Sequence, residues 1–207
     1  TSILVVLVSI YPVFWILMTS FKTIDEQQGK SPFALPSSLY LQNFINAFAG
    51  GRLGTYYKNS IIVAVVTIVA IVLLSATAAF AIEKMKFKFS SAVMGFFLLG
   101  IAIPIHITLI PMFQIYRNMN LLNSYLSLIL PQIGFALPIS IYLFTAFYKY
   151  LPNSLMEAAI IDGASVGKCF WKVYLPLSKN TIVTVATMNL IGIWNEFIFA
   201  NTFVSSI

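Results

Sequence analysis

The sequence predicts an all-α, polytopic membrane protein. Three observations lead there. Apolar residues make up 59% of the 207 positions and charged residues only 9%, with a mean hydropathy of +0.91. Soluble domains carry about 25% charged residues, so a globule of this composition has too few polar groups to cover its surface and must face lipid. The apolar residues also fall in runs of about 20, the length a helix needs to cross a bilayer. Those runs are uniform and lack the alternation of a membrane β-barrel strand.

Five runs qualify as spans. Ser2–Phe21 has neither the basic leader nor the cleavage site of a signal peptide and is long enough to cross. Tyr57–Ile82 carries no charge after Lys58, and its small residues Ser75, Ala76, Thr77, Ala78, Ala79 and Ala81 would let another backbone approach closely. Ser91–Phe113 is broken at Pro104 and Pro111. Ser124–Tyr148 contains Pro131 and Pro138, and Thr181–Phe203 contains Glu196. Each proline removes a backbone donor and favours a kink. Kinks at membrane depth fit a translocation path or ordinary bent packing, and the residues alone leave both open. Because the chain opens at Thr1 inside an apolar run, its natural N-terminus is expected to lie upstream.

The connections set the orientation. Lys22–Tyr56, with Pro32, Pro36, Gly50, Gly51 and Gly54, reads as a long irregular external loop. Glu83–Ser90 carries Lys84, Lys86 and Lys88, and Lys149–Asn180 carries Lys149, Lys168, Lys172 and Lys179. Lys22, Lys30, Arg52, Lys58 and Arg117 are spread over the longer opposite side. Lysine and arginine collect in cytoplasmic loops, so Glu83–Ser90 and Lys149–Asn180 are expected to face the cytosol.

Other function classes lose ground on the same residues. The net charge of +6 has no basic cluster interleaved with aromatics, which argues against nucleic acid. Cys169 is the only cysteine, so no intrachain disulfide can form, and His106 stands apart from any metal-ligand cluster. Gly163-Ala-Ser-Val-Gly167-Lys168-Cys169 imitates a phosphate loop but has three residues between glycines and Cys where Ser or Thr must follow Lys.

Tyr150–Leu177 is the most structured of the connections. Pro152 ends the preceding element, and Ser154 with Glu157 has capping-box spacing, which predicts a helix over 154–161. Asp162-Gly163 marks a turn. Val166, Phe170 and Val173 share a face of a second short helix, which Leu175-Pro176 is expected to end. Such a bent pair of helices fits an interfacial amphipathic element, an incidental loop, or a docking site for a soluble partner.

Glu157, Ala158, Ala159, Gly163, Ala164, Phe170, Leu175 and Pro176 have the identity and spacing of the "EAA" signature, and the segment resembles the permease subunits of ABC-type importers. Asp162 before Gly163, the Trp194-Asn195-Glu196-Phe197 run and the Pro104…Ile110-Pro111 arrangement are similar to the carbohydrate-type permeases of the maltose-transporter kind. The resemblance implies a type I importer transmembrane domain over 1–207, with 149–180 as its cytosolic coupling loop, in the inner membrane of a prokaryote. It implies ATPase coupling through Glu157, Ala158, Ala159, Asp162, Gly163, Ala164, Phe170 and Pro176. It implies a second, homologous permease, two ATPase subunits that bind ATP and Mg, and an external substrate-binding protein. No cofactor is expected in this chain, and no hydrolysis of its own. The family has a sixth span after the fifth, which is expected to lie beyond Ile207.

Asn189, Trp194, Asn195 and Glu196 are candidates for a solute path, since an aromatic beside hydrogen-bonding groups suits a sugar. Trp194 and Glu196 also fit a place near the outer interface, and Asn195 and Glu196 fit bonds to neighbouring helices. Cargo other than sugar (a polyamine or an amino acid), a proton-coupled carrier using Glu196, and a scaffold role remain as alternatives.

Overall fold

A computed structural model describes residues 2–29, 31, 33–50 and 52–205. Lys30, Pro32 and Gly51 of the first loop, and Ile207 at the end, lie outside the described residues. Every regular element among the described residues is helical. The chain forms two compact units, 1–58 and 59–207.

In the first unit, α1 (Ser2–Ser20) is followed by two short helices, α2 (Ile24–Gly29) and α3 (Gln42–Ala49). The first loop is therefore not irregular throughout. A capping box explains α2: the Glu26 amide donates to Thr23 Oγ1 and the Thr23 amide donates to Glu26 Oε2, both at 3.3 Å. The Asn43 side chain then donates to the carbonyls of Ser20 and Lys22, tying α3 to the end of α1.

The second unit holds the core. Helix α4 (Leu53–Phe80) runs into one π-helical turn, Ala81–Met85. The small-residue face of α4 is the packed one: Ser75, Ala76 and Ala79 are fully buried, while Thr77 is exposed and returns its hydroxyl to the Leu73 carbonyl. The third run bends by 90° between α5 (Ser90–Ile101) and α6 (Leu109–Asn118), with a 3-10 turn, Ile105–Thr108, between them. The break lies at Pro104 alone. Pro111 sits in the first turn of α6, where its missing N–H has no intrahelical acceptor to lose. Asn120, at φ 54°, closes α6: the Leu121 amide reaches the Tyr116 carbonyl and the Asn120 amide the Arg117 carbonyl.

Helix α7 (Tyr125–Tyr150) is uninterrupted despite Pro131 and Pro138, and Ser124 caps its start. It packs along α5, where a Cβ on Gly100 would meet Pro138 Cγ at 3.0 Å. Ile71, Ala76, Phe80, Ile141, Phe144 and Tyr148 form one buried cluster with Phe170, Tyr174 and Val185. The fifth run is divided into α11 (Lys179–Trp194) and α12 (Ile198–Phe203) rather than continuous. Two helices, Leu53–Met85 and Tyr125–Tyr150, are each long and apolar enough to cross a membrane, and the bent α5–α6 pair is a third if it counts as one span.

Candidate functional site

The segment after α7 is built as the spacing predicts, with three differences. Helix α8 covers Ser154–Ile161. Its N-cap is Asn153, and the Ser154–Glu157 box does not form. The reason is that Ser154 is already the first helical residue: the Glu157 amide, which the Ser154 hydroxyl would have to hold, donates to the Asn153 carbonyl at 3.1 Å. Lys84 Nζ donates to Asn153 Oδ1 (3.1 Å) and to the Leu151 carbonyl (2.6 Å), which ties the entry to α8 to another element. The Glu157 carboxylate is left exposed, with no hydrogen bond or ion pair to the described residues.

The far end of α8 is a Schellman turn. The Ala164 amide donates to the Ala159 carbonyl and the Gly163 amide to the Ile160 carbonyl, both at 2.9 Å. This geometry needs the left-handed conformation that Gly163 adopts, φ +81°. The Glu-Ala-Ala…Gly-Ala spacing is thus that of a two-turn helix with its closing bend. Glu157, Ala158, Asp162 and Gly163 are exposed, and Ala159 and Ala164 half-buried. Ile160, Ile161 and Val166 add apolar surface around them.

The second difference is register. After α9 (Val166–Cys169), which Ser165 caps, a π-helical turn covers Phe170–Tyr174 and shifts the inward face. Cys169, Phe170 and Tyr174 are buried and Val173 packs half-buried against the same core, as the spacing predicts for Phe170 and Val173, whereas Val166 is exposed. Phe170 therefore faces the core and not an outside surface. Its ring lies 5.3 Å from that of Phe80, and the Tyr174 ring lies 5.0 Å from Phe80 and 5.8 Å from Tyr148. Lys84 Nζ sits 5.7 Å above the Tyr174 ring, a cation–π contact. Burial raises the Tyr174 phenol above its ordinary pKa of 10.0, with Cys169 adding to the effect, so the ring stays neutral. The third difference is at Leu175-Pro176, where the helix does not end but continues from the π turn as α10 (Leu175–Leu177) to Ser178, with Pro176 exposed.

A groove of about 260 Å³ lies elsewhere, among α7, α11, the 3-10 turn and α12. Of the solute-path candidates, Asn189 and Glu196 line it. Asn189 is buried and donates to Ser140 Oγ (3.2 Å) and to the Val185 carbonyl. Trp194 and Asn195 are exposed and outside the groove lining. Asn195 donates to the Ile191 carbonyl at 2.8 Å, and the Glu196 carboxylate accepts from the Phe199 amide (2.6 Å) and the Ala200 amide (3.3 Å). These two side chains satisfy both cut ends of the broken helix and make no side-chain hydrogen bond to a neighbouring helix among the described residues. Gln132 also lines the groove, a residue that sequence reasoning missed; a polar side chain inside an apolar run, next to Pro131, was its signal. No group of three or more metal-ligating side chains occurs among the described residues.

Residues 71–207 match the family of binding-protein-dependent transport system inner membrane components. The chain belongs to that family. A diacetylchitobiose uptake system permease protein of Streptomyces coelicolor is 35% identical over 91% of this chain and 62% of its own length. A trehalose transport system permease protein of Mycobacterium tuberculosis is 36% identical over 95% of this chain and 71% of its own length. A trehalose/maltose transport system permease protein of Thermococcus litoralis is 30% identical over 99% and 73%. This chain thus spans less than two thirds of the first relative. A crystal structure of a bacterial ABC transporter involved in importing the acidic polysaccharide alginate has the same fold, with a TM-score of 0.77 at 22% identity over 98% of this chain and 71% of that one. As an inner membrane transport component, the protein has a membrane setting that matches its exposed apolar helices.

Proposed function

We propose that this chain is a permease subunit of an ATP-driven importer for a sugar or oligosaccharide, with 1–207 acting as one transmembrane domain. The observation that carries the reading is the contrast within 149–180. The α8 helix and its Gly163 bend are exposed, with Glu157 unpartnered among the described residues, while the continuation through Phe170 and Tyr174 is locked into the core. A surface that another protein can grip is thereby joined rigidly to α4 and α7. In this reading 149–180 is the cytosolic coupling loop. Glu157, Ala158, Ala159, Asp162, Gly163 and Ala164 meet an ATPase subunit, and Phe170 transmits the pull inward. Pro176 shapes the return to α11.

Two ATPase subunits bind ATP with Mg and carry out hydrolysis, a second homologous permease completes the path, and an external binding protein delivers the solute. Nucleotide shifts the cycle only through its better binding to the closed ATPase pair. The carbohydrate cargoes named for the relatives support sugar as the solute, and the shared groove of Asn189 and Glu196 supports a polar path there. The test is reconstitution with ATPase and binding-protein partners in vesicles. Glu157→Lys and Gly163→Pro are expected to assemble in the membrane yet lose solute-stimulated ATP hydrolysis and uptake. Gly163→Pro also removes the amide that bonds Ile160. Normal uptake by both variants overturns the coupling role, and import of a polyamine or amino acid in place of sugar overturns the cargo.

A further inference from the structure

We infer that α3 is an interfacial helix, lying along the membrane surface at the end of α1 with its apolar face among the lipid headgroups and upper acyl chains. The inference stands apart from the importer reading and needs only that α1 lies in the membrane. Leu41, the residue before the helix, and Phe44, Ile45 and Phe48 recur at the spacing of one helical face, and all four are exposed. Gln42, Asn43 and Asn46 take the other side. No charge interrupts the segment: from Ser31 to Gly51 the sequence has no Asp, Glu, Lys or Arg. Phe33, Leu35 and Leu39 of the same stretch are exposed too. A contiguous apolar surface of this kind marks contact with a membrane or a protein and not with water.

The end of α1 selects the membrane. Asn43 Nδ2 donates to the Ser20 carbonyl at 2.9 Å and to the Lys22 carbonyl at 2.8 Å. The Tyr40 amide donates to the Phe21 carbonyl at 3.2 Å, and the Phe44 ring lies 5.4 Å from that of Phe21. The last carbonyls of a helix have no partner within it, and lipid tails offer none. An apolar membrane helix therefore ends at the polar boundary of the bilayer, and α3 is fastened at that level by its polar side. Its apolar side is left for the layer beneath the headgroups, where interfacial helices sink about 5–10 Å. Tyr40 beside it is of a type enriched at that boundary. A soluble partner that comes and goes would leave Leu41, Phe44, Ile45 and Phe48 in water between encounters, whereas lipid covers them at all times.

The experiment uses the complete transporter in nanodiscs of phosphatidylethanolamine and phosphatidylglycerol, which leave both membrane faces open to reagents. Gln42→Cys, Phe44→Cys, Ile45→Cys, Asn46→Cys and Phe48→Cys each carry a nitroxide. Cys169 is buried, and an unaltered transporter taken through the same labelling gives the background. At Phe44, Ile45 and Phe48, collision with oxygen, which concentrates in lipid, is expected to exceed collision with a water-soluble nickel chelate several-fold. At Gln42 and Asn46 the order is expected to reverse. Dominance of nickel at all five positions places α3 in water, and protection of the apolar face from both reagents places it against protein; either result overturns the inference. Phe48→Trp keeps a large ring and gives a second reading should a labelled variant fail to assemble. Lipids brominated on their acyl chains are expected to quench the fluorescence that this tryptophan adds to the unaltered transporter, and its persistence undiminished overturns the inference as well.

Discussion

Lys84 and Asn153, 69 residues apart, are joined by a hydrogen bond of 3.1 Å from Nζ to Oδ1. The same ammonium holds the Leu151 carbonyl and lies over the Tyr174 ring. One side chain at the end of α4 thus fixes both the entry to α8 and the aromatic platform behind it. Lys84→Met keeps the stem and removes the charge. Hydrogen bonds to a charged donor contribute about 1.5–3 kcal/mol, so solute-stimulated ATP hydrolysis is expected to drop about tenfold or more in reconstituted vesicles. Lys84→Arg should recover part of it, and equal stimulation in Lys84→Met and wild type would show that the tether is dispensable.

Phe170 is 4% exposed and packs on Phe80. Truncating a buried Phe costs about 3–5 kcal/mol through lost contacts and the cavity left behind. Phe170→Ala is expected to lower the thermal midpoint of the detergent-solubilised subunit and its yield in the membrane. Phe170→Leu, which fills most of the volume, should lose less. If Phe170→Ala unfolds at the wild-type temperature and fails only to hold the ATPase, its side chain meets the partner and not the core.

Glu196 separates two mechanisms. As a cap on α12 it needs acceptor oxygens and no proton transfer. Replacing a helix cap by Ala costs about 0.5–2 kcal/mol. Glu196→Gln, which keeps one acceptor, is expected to retain most uptake, and Glu196→Ala to lose thermal stability. Uptake measured with and without an imposed pH gradient should be alike in wild type and in Glu196→Gln. Gradient-driven uptake without ATP, abolished by Glu196→Gln, would instead favour a proton-coupled carrier.

What the sequence made legible was local. The α8 bounds and the Gly163 bend could be read because they depend on residues within a few positions of each other. The Ser154–Glu157 cap does not form because the helix starts one residue earlier than that box requires, so that the Glu157 amide bonds the Asn153 carbonyl. Of the face read after α9, Phe170 and Val173 do turn toward the core, whereas Val166 stays exposed and Cys169 and Tyr174 are buried beside them. Thr23–Glu26, the capping box that does form, was hidden in a stretch rich in turn residues. Glu196 stood out as a carboxylate in an apolar run, but its bonds require a helix break that apolarity alone does not mark. Gln132 was passed over because a single amide beside a proline has no motif.

The contact of Gly100 with Pro138 offers a test of how α5 and α7 meet. A Cβ at Gly100 would lie 3.0 Å from Pro138 Cγ and 3.7 Å from its Cβ, so the proline ring or its helix must give slightly to admit it. Overpacking of this kind costs about 1–3 kcal/mol. Gly100→Ala is therefore expected to lower the thermal midpoint, and Gly100→Leu to do so more severely. Pro138→Ala removes the atom that a new Cβ would strike. In that background Gly100→Ala should cost little, because residues in direct contact are not additive. Equal penalties with and without Pro138 would mean that Gly100 is needed for a reason other than this close approach.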